Sequence, residues 1–201
     1  PWRPGDPTPF PVVAGYQKVG IVDWVGPDVV DLKKGDSVFV SVSSISGMFA
    51  PRGGHVSPSV SSRGAVLKLP AGLDPVAYSG LVLTQVGFNC GDRPRFQPGD
   101  AAVVAGDGLV GHWAGQMLAA RGAEVVMVGR HEDRLGHFKK GETLLDKEGA
   151  WMKKVKERFP DGVQVGVDTV GSLGVMGHLE SLMKRFGHLV SAGFYGTDDC
   201  L

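Results

Sequence analysis

The stretch AAVVAGDGLVG, residues 101–111, constrains this chain more than any other. Five small or β-branched apolar residues read as a buried strand, and Gly106-Asp107-Gly108-Leu109-Val110-Gly111 then repeats the spacing GxGxxG at the start of a helical pattern. A strand, a glycine turn and a helix in that order make a dinucleotide-binding fingerprint. The first glycine permits the turn, the second lets backbone approach a pyrophosphate, and the third lets helix and strand pack closely. The helix N-terminus, with Leu109 and Val110 in its first turn, offers unpaired N–H groups to the phosphates. Gly106, Gly108, Leu109, Val110 and Gly111 are therefore candidate cofactor-binding residues, with a mere tight packing turn as the plainer alternative.

A βαβ unit cannot bury itself alone, and the rest of the C-terminal half supplies its neighbours. EVVMVG (124–129), ETLLD, VQVGVDTVG (163–171) and HLVSAGF read as further strands. Between them lie LVGHWAGQMLAARG (109–122), a charged helical stretch around HEDRLGHFKK, EGAWMKKVKERF and SLGVMGHLESLMKRFG. Five parallel strands with intervening helices predict an α/β fold with a doubly wound sheet, because parallel strands need crossovers that cover both faces. Trp113 and Met117 are expected in the core of the first helix. Before Ser79 the pattern is different: YQKVGIVDWVG, DLKKGDSVFVSV and AVLKLPAGLDP alternate short apolar runs with turn signals, as antiparallel hairpins do. Val19, Ile21 and Val25 are expected on strands there, and the Ser-, Gly- and Pro-rich segment between them (41–64) reads as a long loop, with Ser43 to Phe49 able to cover a substrate. GLVLTQVGFNCG reads as a connecting helix. The division expected is 1–78 and 79–201, and the proline-rich start and the abrupt end both read as cuts through a longer protein.

Composition excludes some partners. With 21 basic and 21 acidic residues and no basic run, neither nucleic acid nor an acidic membrane surface is expected, and no apolar run is long enough to span a bilayer. The two cysteines, Cys90 and Cys200, form no CxxC, so no disulfide framework or thiolate zinc cluster is written here and a cytoplasmic location is expected.

The end of the second strand bears on which dinucleotide is held. An acidic residue there accepts from the ribose 2′-OH in NAD sites. This chain reads MVGRHEDR, with Gly129 at the acidic position, Arg130 next and Arg134 near. A glycine removes the charge that would repel a 2′-phosphate, and a guanidinium forks onto one, so NADP(H) is expected over NAD(H). The alternative is that Arg130 stacks on adenine or faces solvent while Glu132 or Asp133 holds the ribose.

Several motifs together resemble the medium-chain dehydrogenase/reductase superfamily, the relatives of zinc-type alcohol dehydrogenases. They are Gly15 to Gly20, Val25-Gly26-Pro27-Asp28, Lys34 to Val38, Leu67 to Pro75, Gln97 to Gly111 and Asp168-Thr169-Val170-Gly171. The likeness runs over almost the whole chain, and the closing SAGFYG with its absent metal ligands is similar to the subgroup around bacteriochlorophyllide dehydrogenase. It implies a GroES-like barrel, partial here because its first strands would precede residue 1. A Rossmann domain lacking its last strand would follow, with hydride transfer in the cleft between the two. The chain is accordingly expected to be a fragment. The partners expected are a small-molecule substrate and, in the full-length protein, a second copy of the chain as a homodimer.

The resemblance also locates a metal site and shows it altered. The family's GHE motif falls on Gly15-Tyr16-Gln17, where a phenol replaces the histidine ligand and an amide replaces the glutamate. A further ligand position, four residues before the threonine that faces the nicotinamide, falls on Gly80 if that threonine is Thr84. No zinc is expected. Hydride transfer still needs a donor to the substrate oxygen, and Tyr16 stands where the ligand would stand, suited to giving a proton in the reducing direction. It could instead be a tyrosine packed under the nicotinamide. By the same resemblance Thr84 contacts the nicotinamide, Asp168, Thr169 and Val170 lie by the adenine ribose, and Gly193, Phe194 and Tyr195 line the nicotinamide end. Two functions follow: a zinc-independent NADP(H)-dependent oxidoreductase of alcohols, ketones or activated alkenes, or a non-catalytic NADP(H)-binding sensor or structural protein.

Overall fold

The computed structural model describes residues 11–41, 43–44 and 52–195. They divide between Val82 and Leu83 into two compact units.

In the first unit, β1 (Lys18–Ile21), β2 (Ser37–Val40) and β5 (Val66–Lys68) form an antiparallel sheet in the order β1-β2-β5, and β3 (Ser43–Ser44) pairs with β4 (Arg52–Gly53). The register sets Lys18 opposite Val40 and Ile21 opposite Ser37. The turn expected at KKGD is present: Gly35 takes a positive φ of 92°, its amide donates to Val22 at 2.8 Å, and Asp36 closes onto Lys33. Leu32, Val38 and Val40 form a small core with Val22, Val25, Val29 and Val66 against it. Val25 thus lies beyond the strand, which stops at Ile21, and it packs from a loop instead. Most of Ser43 to Phe49 falls outside the described residues, as does Cys200.

The second unit holds five parallel strands: β6 (Ala101–Ala105), β7 (Glu124–Gly129), β8 (Glu142–Leu145), β9 (Val163–Asp168) and β10 (Met183–Ser191). Their order is β10-β9-β6-β7-β8, so the chain starts in the middle and winds out to both edges. The two-residue period of a strand explains the layers. Ala102, Val104, Val125, Met127, Val165 and Val167 point to one face and pack on residues of α1 (Leu81–Asp92), α2 (Leu109–Ala120) and α3 (Glu132–Leu135). The alternate residues, Ala101, Val103, Ala105, Val126 and Val128, pack on α4 (Trp151–Arg158) and α5 (Leu173–Glu180), joined by Val163 from the start of β9. Each fully buried valine or leucine here contributes about 1.5–3 kcal/mol of transfer free energy.

Two expectations are corrected. Trp113 is half-exposed rather than core; the face of α2 that meets the sheet carries Gly111, Ala114, Gly115 and Leu118, whose small side chains let the helix lie close. Trp113 and Met117 instead flank α1, where a Cβ on Gly87 or Gly91 would crowd them. The helix expected over 172–187 ends at Glu180, because strand pairing resumes at once: Met183 sits opposite Val163, and a bulge before His188 accommodates Phe186 at φ 63°.

Candidate dinucleotide site

The carboxyl ends of β6, β7 and β9 define the site, the place where ligands bind doubly wound sheets. Gly106 follows β6 with a φ of 118°, a conformation that disfavours a side chain, and its amide donates to Val128 at 2.8 Å. A Cβ on Gly106 would strike the Thr169 hydroxyl, and one on Gly111 would strike the Gly106 carbonyl. Gly108 is different. It caps α2 at an ordinary φ of −84°, and a Cβ there would meet nothing within 4 Å. Packing within the protein therefore demands the first and third glycines but gives no reason for the second, which opens onto a cavity of about 370 Å³.

Gly106, Gly108, Gly129, Arg130, Arg134, Thr169 and Val170 all line that cavity, brought together from three strand ends. Leu109 and Val110 do not line it, and Leu109 is largely exposed on the first turn of α2. Thr169 has its hydroxyl engaged, donating to Ala105 at 2.9 Å. Asp168 lies elsewhere: fully buried, it accepts from the Val170 amide at 2.8 Å, from the Gly171 amide and from the Tyr195 hydroxyl. It braces the turn after β9 to the segment after β10 rather than facing the cavity. Burial and the Asp168 contact both raise the Tyr195 phenol above its ordinary value. Gly193 packs against the Gly171 backbone, and Phe194 is almost fully exposed.

Asp107 is a residue that sequence reasoning missed, because the fingerprint leaves its position open. Its carboxylate is 8% exposed and accepts from the Arg130 amide at 2.8 Å and the His131 amide at 2.7 Å. The His131 ring nitrogen Nδ1 lies 3.0 Å away, and Arg134 approaches to 3.8 Å. Burial alone would raise this carboxyl, but the hydrogen bonds from His131 and Arg130 outweigh it and hold the group below the ordinary carboxylate value. The signal that could have found it is an acid inside the turn together with a glycine where the acid is expected.

In the first unit, Tyr16 is half-exposed. The Gln17 amide oxygen accepts from the Val82 amide at 2.9 Å, so this side chain satisfies one of the open N–H groups at the start of α1. Thr84 lies two residues further along α1 and belongs to the second unit. Among the described residues, no three of His, Cys, Asp and Glu gather to hold a metal ion, and no helix is long and apolar enough to cross a membrane.

Comparison with known proteins agrees with this architecture. A family model described as zinc-binding dehydrogenase matches residues 110–200. Probable cinnamyl alcohol dehydrogenase 8C of Oryza sativa subsp. japonica is 27% identical over 229 residues, covering 92% of this chain and 49% of the relative. An alcohol dehydrogenase of Moraxella sp. (strain TAE123) is 26% identical over 225 residues, covering 94% of this chain and 63% of the relative. Among solved structures, an alcohol dehydrogenase superfamily protein from Novosphingobium aromaticivorans superposes with a TM-score of 0.71 at 28% identity, over 98% of this chain and 59% of that one. A zinc-binding dehydrogenase from Sinorhizobium meliloti 1021, bound to NADP, gives a TM-score of 0.79 at 18% identity, over 97% and 65%. Sheet order and glycine turn define a doubly wound dinucleotide-binding fold. The chain is similar to members of the zinc-type alcohol dehydrogenase, or medium-chain dehydrogenase/reductase, superfamily. It spans about half the length of the rice relatives it matches.

Proposed function

We propose that the protein is an NADP(H)-dependent oxidoreductase that transfers hydride without zinc, acting on an alcohol, a ketone or an activated alkene. The observation that carries this reading is Gly108: a glycine that nothing in the protein requires, at the N-cap of α2, on the wall of the cavity. A cofactor pyrophosphate lying against that backbone gives the missing reason. The residues present fit a dinucleotide, since open N–H groups at a helix start, two guanidiniums and an uncrowded wall converge on one cavity. The NADP(H) preference is supported by Arg130 and Arg134, which can meet a 2′-phosphate with forked donors.

The residues at the family's metal positions do not fit zinc. Tyr16 is a neutral phenol, the Gln17 amide oxygen already caps α1, and Gly80 has no side chain. The proton that accompanies hydride is assigned to the Tyr16 hydroxyl, whose half-exposed position leaves it reachable by substrate. Gly106, Gly108, Arg130 and Arg134 would hold NADPH, which would supply a hydride when bound, and the Tyr16 hydroxyl would give its proton to the substrate oxygen and regain one from water. Thr84 is assigned to the nicotinamide side chain-facing surface of the site, as the family's pattern implies.

The test is turnover with NADPH on a panel of aldehydes, ketones, quinones and enones, run with and without a strong chelator. NADPH oxidation that the chelator leaves unchanged is expected. Loss of turnover on chelation would overturn the zinc-free assignment, and cofactor binding without turnover on every class would overturn the enzyme reading.

A further inference from the structure

We propose that Asp107 is a positioning residue for cofactor choice, bracing from beneath the turn that presents Arg130 and Arg134 to the 2′-phosphate end of the cavity. This rests on the NADP(H) reading above and names the residue that makes that site work.

Asp107 sits inside the glycine turn after β6, yet its hydrogen bonds all go to the neighbouring turn after β7. Its Oδ2 accepts from the amides of Arg130 and His131 at 2.8 and 2.7 Å, and the His131 ring lies against both oxygens at 3.0 and 3.2 Å. Nothing in the geometry of the glycine turn calls for an acid at this position; the conformation is set by Gly106. The carboxylate therefore serves the second turn. Two consecutive amides on one oxygen fix the direction in which the chain leaves β7, and with it the roots of the Arg130 and Arg134 side chains.

An acid so close to a phosphate site would ordinarily oppose an anion. Here its charge is 8% exposed and spent on three donors, with Arg134 at 3.8 Å, while the Arg130 and Arg134 guanidiniums stand exposed at the rim. The other acid on the wall, Asp146, also turns to protein, accepting from the Gly149 amide at 3.0 Å. The cations are thus left facing the cavity. The same brace explains Gly129: a Cβ there would lie 2.5 Å from the Asp107 Cβ and Oδ2, so glycine at the strand end and aspartate in the turn occupy one space between them.

The experiment is fluorescence titration of the full chain with NADPH and with NADH, for wild type, Asp107→Ala and Asp107→Asn, with thermal melting to monitor folding. Asp107→Ala is expected to weaken NADPH about tenfold or more and NADH by no more than about threefold, the scale of losing a charge-assisted brace. Asp107→Asn keeps an acceptor oxygen and is expected to hold the NADPH/NADH ratio within about threefold of wild type. Equal losses of both cofactors on Asp107→Ala would overturn the proposal, leaving Asp107 a general brace. A ratio moved toward NADPH in either variant would also overturn it, showing that the carboxylate repels the 2′-phosphate. If Asp107→Ala does not fold, Asp107→Gly, which also removes the carboxylate, takes its place: a selective loss of NADPH is again expected, and equal losses of both cofactors again overturn the proposal. Wild type binding NADH the more tightly would sink the NADP(H) reading alone, since the Asp107 claim is read from the change of ratio between variant and wild type.

Discussion

Gly106 and Gly108 do different work, and substitution separates them. Gly106→Ala places a Cβ against Thr169 in a left-handed backbone, so it is expected to cost roughly 1–3 kcal/mol of stability. Gly108→Val has an ordinary φ and empty space around its Cβ, so its melting temperature is expected to stay within a degree or two of wild type. Its NADPH affinity should nevertheless fall by at least about tenfold, because the branched side chain occupies the approach of the pyrophosphate. Arg130→Asp should weaken NADPH more than NADH in the same titration; equal loss would remove the 2′-phosphate assignment. The glycine spacing and the cations after β7 were legible in the sequence because each is a local pattern with a local reason. Asp107 was not, since its partners are 23 and 24 residues away and only the fold brings them together. Asp168 was misplaced for a similar reason: its position at a strand end was readable, but the inward direction of its side chain depends on Tyr195 after the next strand.

At the level of elements, alternation along each strand made the sheet readable, and the helices were readable in number but not in their faces. α2 meets the sheet through Ala114 and Leu118 rather than Trp113, because the close approach of helix to strand admits only small residues and one leucine. Leu118 is fully buried, and Leu118→Ala is expected to lower stability by about 2–5 kcal/mol in denaturant unfolding, whereas Trp113→Ala should cost clearly less. The boundary of α5 was lost because SLMKRFG carries a helical apolar spacing that pairing with β9 overrides. A pH dependence belongs here too. A hydrogen bond from Lys184 at the start of β10, with the Gln97 amide, holds Asp100 before β6 below its ordinary value of 3.8. A depressed folded value means the contribution is present above the unfolded value and disappears as pH falls through the folded one. Wild type should therefore lose melting temperature more steeply than Asp100→Asn between about pH 5 and about pH 2. Parallel curves would remove Asp100 from the acid limb.

Across the whole molecule, the chemistry assigned to Tyr16 and the cofactor site assigned to the second unit are separable. Tyr16→Phe removes one hydroxyl from a half-exposed side chain, so NADPH affinity should be unchanged while turnover falls by about a hundredfold. The doubly wound sheet was readable because it follows from the change of period along the chain, from hairpins to alternating strands and helices. The role of Gln17 as a cap for α1 was not, since its partner lies 65 residues on.

The central claim is that the cavity beside Gly108 holds an NADP(H) pyrophosphate. Titration of NADPH fluorescence with wild type and with Gly108→Val tests it most directly. Saturable binding by wild type and its loss in a Gly108→Val protein that melts at the same temperature is the predicted result. Wild type that does not bind, or a Gly108→Val protein that binds as well as wild type, would contradict it.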